Sequence, residues 1–340
     1  MKSWLFYLVI LFYLNGRSQN IAGVENFLLA SQQEQEMLVH EYFNPLFNAL
    51  QISMGEGWVK SAKTHKKLGF DFTFSVSAIN IPESDLSFSN QIFNNLSSTS
   101  AHSPTIFGSE STGTYLVDFY PPDSDYSMST TFEIPNGHND LLSSGRLLLP
   151  NLQFSVGMPF KTELIVRYVP EATNKGAKFK SIGLGIKHSI SQYFKASKVT
   201  PFNLSVLANN SRLEGSYNFG VNSQIPGENQ SVDLKVSSYG LGVLGSVDLK
   251  IVSVYASVTQ VYNKSSLNIK GSYELNYETS SDEIGAIAFL VQDPISIDNN
   301  LSFLRKNIGI AFNFTFYNLF IDYSFQEYNS INLGVSLGVR

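Results

Sequence analysis

The stretch Leu68-Gly69-Phe70-Asp71-Phe72-Thr73-Phe74-Ser75-Val76-Ser77-Ala78-Ile79 decides the fold. Phe70, Phe72, Phe74, Val76 and Ala78 alternate with Gly69, Asp71, Thr73, Ser75 and Ser77. Successive side chains of a strand point to opposite faces, so one face here is wholly apolar and the other small or polar. At about 3.3 Å per residue the stretch reaches roughly 40 Å, or about 28 Å once tilted near 45°, which matches an apolar bilayer core. A strand of a soluble domain averages only about 5 to 6 residues. The pattern therefore predicts a strand that crosses a membrane.

Toward the C-terminus the alternation returns repeatedly. Ile182, Leu184 and Ile186 interleave with Gly183, Gly185 and Lys187; Tyr239, Leu241 and Val243 with Gly240 and Gly242; Ile308, Ile310 and Phe312 with Asn307 and Gly309. Leu333, Val335 and Leu337 interleave with Gly334, Ser336 and Gly338. A soluble sandwich would carry Lys and Glu on its polar face, whereas Gly, Ser, Asn and Thr suit a wet or plugged lumen. The spacing predicts strands at about 68–79, 145–158, 162–169, 179–192, 202–217, 233–248, 250–262, 266–278, 284–291, 301–316, 319–328 and 330–340. Pieces at Thr114 to Tyr120 and Ser127 to Ile134 raise that count from twelve to fourteen. Turns at Met158-Pro159-Phe160-Lys161-Thr162 and around Tyr317-Asn318 are short, while the connections Asn80 to Ser144, Glu171 to Lys178 and Asn218 to Val232 are long. Short turns on one side and long loops on the other are the asymmetry of an outer-membrane barrel. Tyr168, Tyr193, Tyr239, Tyr262, Tyr317 and Tyr328 near strand ends are candidate interfacial girdles. The expected fold class is thus all-β: a transmembrane antiparallel β-barrel of 12 to 14 strands with a short N-terminal helical plug.

Composition agrees. Over 340 residues there are 26 Phe and 17 Tyr, charged residues are 15%, and Cys is absent. That balance excludes disordered, collagen-like and disulfide-stapled classes. A formal charge of −5 gives no basic footprint, so nucleic acid is not an expected partner.

At the N-terminus, Met1 and Lys2 precede an apolar run from Trp4 to Leu14, followed by Asn15-Gly16-Arg17-Ser18. This is the pattern of a secretory signal peptide, assigned to residues 1–18. Losing Lys2 and Arg17 would take the formal charge from −5 to −7. The plug is assigned to 19–57 and the barrel to 58–340, with a long first extracellular loop at 80–144. Within the plug, Leu38, Tyr42, Leu46 and Leu50 recur every fourth residue on one helical face, and Pro45 predicts a kink or two shorter helices. Leu38, Tyr42, Phe43, Leu46 and Phe47 are expected to line a greasy pocket in the lumen.

The run Trp58 to Asp71, W-V-K-S-A-K-T-H-K-K-L-G-F-D, resembles a signature of an uncharacterised family of Gram-negative outer-membrane barrel proteins. Pro104 to Gly108, Val156-Gly157-Met158-Pro159 and Gly183 to His188 are similar to further motifs of that family. The resemblance covers most of the chain and implies a barrel in the cell outer membrane, without a known activity. A weaker likeness of architecture, to long-chain fatty-acid and toluene transporters, implies an N-terminal hatch inside the barrel. The Gly/Ala-rich opening of those transporters, ending in Asn-Pro-Ala, is missing here.

No catalytic pattern emerges. His40, His65, His102, His138 and His188 lack metal-ligand spacing, no nucleophile elbow is present, and neither a metal nor another cofactor is expected. Neighbouring pairs such as His188 with Ser189 point to opposite faces of a strand. Asp71, Glu163, Arg167, Lys187 and Asp322 fall on the lumen side of their strands. A charge there must be paired or wet, so partners are expected on neighbouring strands or on the plug. Trp58, His65 and Lys66 are placed at the periplasmic entrance, where His65, Lys66 and Lys67 are expected to reach plug acids such as Glu34, Glu36 or Glu41. These features point to passive uptake of a hydrophobic or amphipathic small solute, with a structural or partner-binding surface barrel as the alternative. Outer-membrane lipid and the barrel assembly machinery are the expected partners.

Overall fold

The computed structural model describes residues 23–122, 124–174, 177–194, 201–220 and 223–339, so the expected signal peptide lies outside the described residues. The alternating segments form ten antiparallel barrel strands: β1 (Phe70–Asn80), β2 (Arg146–Met158), β3 (Thr162–Asn174), β4 (Ala177–Ser189), β5 (Phe202–Asn218), β6 (Ser231–Asp248), β7 (Val252–Lys270), β8 (Ile295–Asn313), β9 (Tyr317–Phe325) and β10 (Ser330–Val339). Each pairs with its neighbour in the chain, and β1 pairs with both β2 and β10, which closes the sheet. Phe72 lies opposite Phe154 on one side and Leu337 on the other.

Alternation along β1 becomes inside and outside. Asp71, Thr73, Ser75 and Ser77 are buried in the lumen, while Phe72 is 60% exposed on the outer wall. Exposed Leu184, Leu241, Val258, Ile308, Ile321 and Leu333 continue the apolar belt around the barrel. Such a wall is stable only against hydrocarbon, and the chain is therefore a transmembrane β-barrel.

Ten strands stand where twelve to fourteen are expected. The segment expected at 266–278 divides between the end of β7 and the first strand of a hairpin above the barrel, Ser272–Thr279 with Ala286–Gln292, whose second strand takes up the segment expected at 284–291. That hairpin joins Met128–Glu133, Thr114–Phe119 and Leu96–Ser98 in a separate five-stranded sheet. Period-two alternation reports one buried face, whatever buries it, and this second sheet has its own core. The connection expected to be long at Glu171 to Lys178 is taken up by strand, since β3 and β4 pair out to Asn174 and Ala177.

The end of the barrel that carries Phe70 and Val339 is called the near end here. It is turned by Pro159–Lys161, Leu249–Ile251 and Phe314–Phe316, and β4 ends there in a 3-10 turn at Ser191–Tyr193. At the far end, the described residues of 81–122, 124–145, 219–220, 223–230 and 271–294 build a cap around the five-stranded sheet. Tyr168, Tyr239 and Tyr262 are exposed on the far half of their strands, and Tyr193 and Tyr317 at the near end. Tyr328 is an exception to the girdle expectation: it is buried and its hydroxyl donates to Asp85 in the cap.

A helix α1 (Gln32–Gly55) follows a short 3-10 turn at Val24–Leu29. Pro45 sits inside α1 without ending it, so of the two outcomes expected, a kink or two shorter helices, the chain does not take the second. A proline ring crowds the carbonyl four residues earlier, and here the packing on all sides of the helix holds it continuous.

Candidate functional site

The 23–67 segment is a thread that runs down the whole lumen. It starts in the cap, where Glu25 Oε1 accepts from the Gln224 backbone N–H at 2.7 Å and Asn26 Nδ2 donates to Gln224 Oε1 at 2.6 Å. Glu34, buried, accepts from the Asn94 and Asn95 backbone N–H groups at 2.7 and 2.8 Å. The thread therefore enters at the far end and leaves at the near end, where Leu68 N–H bonds Gly157 O at 2.8 Å.

The upper half of α1 supplies the apolar face expected for a pocket, but the cap fills that space. Leu38, Tyr42 and Phe47 are fully buried with Phe88, Phe107, Tyr115, Val117, Tyr273 and other cap residues in one core. The Tyr42 hydroxyl donates to Asn136 O at 2.6 Å, and burial pushes that phenol well above its ordinary pKa. Leu46 bridges to a smaller cluster, Leu50, Met54, Leu213 and Val236, with Leu149 and Phe179 at its edge.

Below the helix the contacts turn polar. Trp58, expected at the entrance, lies deep in the bore and is 1% exposed. The lumen-filling segment does not stop at residue 57: Lys60, Ser61, Ala62 and His65 are buried too, and β1 begins only at Phe70. Gly183 and Gly185 make room for the indole, since a Cβ on Gly185 would stand 2.8 Å from the Trp58 ring. On its other side the Arg167 guanidinium sits 3.9 Å from the ring centre and donates to Gln153 Oε1 at 3.0 Å and Glu56 O at 2.6 Å.

Lumen charges meet the thread in three groups. Asp71 Oδ2 receives Lys60 Nζ at 2.8 Å and His65 Nε2 at 2.6 Å. Glu163 receives Lys187 Nζ at 3.0 Å and the His65 backbone N–H at 3.0 Å, and Lys187 also donates to Ser61 O and Lys63 O at 3.3 Å. Glu56 Oε2 accepts from Ser324 at 2.8 Å and its Oε1 from Gln326 at 2.7 Å, while Arg305 donates to Gly55 O. Asp322 meets neutral donors instead: Tyr255 at 3.0 Å, Asn307 at 2.7 Å and Asn332 at 3.0 Å. A buried charge held this way has its desolvation offset by several short bonds.

Thus Asp71, Glu163, Arg167, Lys187 and Asp322 all reach the lumen, the first four through contacts that include the thread. Lys66 is exposed at the near-end mouth, while His65 points inward to Asp71 rather than to Glu34, Glu36 or Glu41. Those acids lie on the far half of the thread, out of reach of His65 and Lys66 at the near end. Glu56, Lys60 and Arg305 were not singled out from sequence. For Arg305 the signal was there, because it shares the alternate positions of Asn307 and Gly309.

A cavity of about 160 Å³ remains beside the thread, lined by Trp58, Lys60, His65, Glu163, Lys187 and Phe320 among others. Among the described residues no His, Cys, Asp and Glu cluster has the makings of a metal site. The space is polar and small, suited to a few waters rather than to a hydrocarbon chain.

A family model described as a family of unknown function, DUF6588, matches residues 1–339. The chain belongs to that family. No curated protein matches it in sequence. Among solved structures, Ail of Yersinia pestis aligns at 9% identity and a TM-score of 0.26, over 80% of this chain and 99% of that one. The translocator domain of the autotransporter NalP from Neisseria meningitidis aligns at 11% and 0.30, over 91% and 99%. The toluene transporter TodX of P. putida aligns at 7% and 0.26, over 80% and 90%. The barrel assignment rests on the closed strand register and the apolar belt, not on these likenesses.

Proposed function

We propose that this member of DUF6588 is an outer-membrane barrel with a closed bore, whose working surface is the structured cap at the far end. The thread carries this reading: among the described residues, buried contacts follow one another from Glu25 in the cap to His65 at the near end and occupy the bore along its length. Both ends of the barrel sequence lie at the near end, together with the shortest turns, which supports a periplasmic near end and an exposed cap. A barrel of this kind holds a binding surface for a partner outside the cell rather than a passage through the membrane. The test is permeation of a small sugar into vesicles that contain the full-length protein. Rates equal to those of empty vesicles are expected, and sustained sugar uptake would overturn the closed-bore reading.

One observation favours a second reading, uptake of a hydrophobic solute from the side. The β2–β3 ladder ends at Gln153 and Arg167, although both strands continue toward the far end. Behind that unpaired seam stand Leu46, Leu50 and Met54 with Leu149 and Phe179. A disulfide between Asn151→Cys and Val169→Cys, two steps beyond the last pair on that register and on its lumen-facing side, would staple the seam. Loss of hydrophobic-solute uptake on oxidation, restored on reduction, supports the side route; uptake unchanged by the staple rejects it.

A further inference from the structure

Ascending the outward face of four adjacent strands from the near end, the first charged side chain above the apolar belt is basic each time. On β4, Ile186, Leu184 and Ile182 lead to Lys180; on β5, Val206 and Ala208 lead to Arg212. On β6, Val243 and Leu241 lead to Lys235; on β7, Val254 and Val258 lead to Lys264. All four are exposed.

Adding Lys178 and Lys270, the outward face of β4–β8 above the belt carries six Lys and Arg against three acids, Glu214, Asp233 and Asp298, a local excess of +3 in a chain of net charge −5. The acids sit among the bases and order them: Glu214 holds both Lys180 and Arg212 at 2.9 Å, Asp298 holds Lys264 at 3.2 Å and Asp233 holds Lys270 at 2.7 Å. A groove of about 200 Å³ opens within the patch, lined by Lys178, Lys180, Glu214, Asp233 and Lys235. Tyr239 and Tyr262 lie directly beneath, on the same outward faces.

Interfacial tyrosines mark headgroup level, and bases just beyond them stand where lipid phosphates lie. Arg and Lys are the side chains that recognise phosphate, with Arg adding a planar fork. We propose that the outward face of β4–β8 above the belt binds the phosphate-bearing headgroup of an anionic lipid in the far leaflet, whose acyl chains lie along Ala208, Leu241 and Val258. The inference rests on the membrane-embedded belt and is independent of whether the bore is closed.

The experiment uses full-length protein in detergent, titrated with lipid A as the phosphate-bearing probe, with retained phosphorus measured after gel filtration. Replacing Lys180, Arg212, Lys235 and Lys264 together by Gln is expected to weaken retention by about tenfold or more, since each base near a headgroup contributes measurably. The near-end pair Lys161→Gln and Lys250→Gln should leave it unchanged. Should the fourfold variant fail to show heat-modifiable migration, the Lys235→Gln/Lys264→Gln pair is read in its place, with a smaller loss expected. Retention equal to wild type in the folded variant, equal loss in the near-end control, or complete displacement of the lipid by millimolar inorganic phosphate overturns the proposal. Flotation with phosphatidylcholine vesicles separately reports whether the belt enters a membrane at all.

Discussion

The Arg167 guanidinium stands 3.9 Å from the centre of the Trp58 ring, a wall residue of β3 stacked on the thread at mid-bore. Opposite it, Gly183 and Gly185 of β4 leave the space the indole takes. Gly185→Ala should therefore destabilise the folded barrel by about 1–3 kcal/mol through overpacking. Guanidinium-induced unfolding in vesicles checks this, and Trp58→Ala in the same chain should recover part of the loss. A Gly185→Ala variant as stable as wild type would mean that the indole is not seated against β4.

Glu163 and Lys187 form a buried pair at 3.0 Å beneath the thread. Removing one partner leaves the other charge desolvated, so Lys187→Met alone should cost about 3–5 kcal/mol. The double variant Glu163→Leu/Lys187→Met should lose much less. Simple additivity of the two single changes in a double-mutant cycle would contradict the pair.

Phe72 faces outward in the middle of the belt and is 60% exposed. Phe72→Lys should cost about 2–4 kcal/mol at mid-depth and impair assembly. Thr73→Lys points to the lumen instead, where Lys60 already stands at 3.1 Å, and should fail by repulsion and crowding. Heat-modifiable migration in gels reads both; normal folding of Phe72→Lys would contradict the assigned face.

Gly23 lies in the cap beside Gln224, at the opposite end from Phe70. An epitope inserted between Ala22 and Gly23 should then be recognised by antibody on intact cells, as should one in the cap near Ser124. Recognition only after the outer membrane is permeabilised would contradict a thread that enters from the far end.

Much of this architecture is legible in the chain. Alternation from Phe70 to Ala78 fixes strand, face and bilayer depth together, because a period of two leaves no freedom about which side meets lipid. The lumen placement of Asp71, Glu163, Arg167, Lys187 and Asp322 follows from the same parity. What parity cannot give is which sheet a strand joins: Tyr273, Leu275 and Tyr277 alternate as cleanly as barrel strands do, yet their apolar face covers α1 in the cap. Nor does it give the direction of the thread. Trp58 and His65 are expected at the entrance because Arg167 and Glu163, which meet the thread inside the bore, lie far along the chain and reach it only when the barrel closes, while Asp71, close in sequence to Lys60 and His65, turns inward as part of β1. Alternation places the glycines opposite Trp58 on the lumen side, and the structure adds that their missing side chains accommodate the indole.

The central claim is that the N-terminal segment fills the bore. Ser61 Oγ of the thread lies 3.3 Å from Ser246 Oγ of β6, and the chain has no Cys of its own. The variant Ser61→Cys/Ser246→Cys, purified folded from membranes and mildly oxidised, is the direct measurement, with the linkage mapped by mass spectrometry of its peptides. Near-complete joining of the peptides that contain positions 61 and 246 is the predicted result. Free thiols at both positions that react rapidly with a bulky maleimide in the folded protein would contradict it.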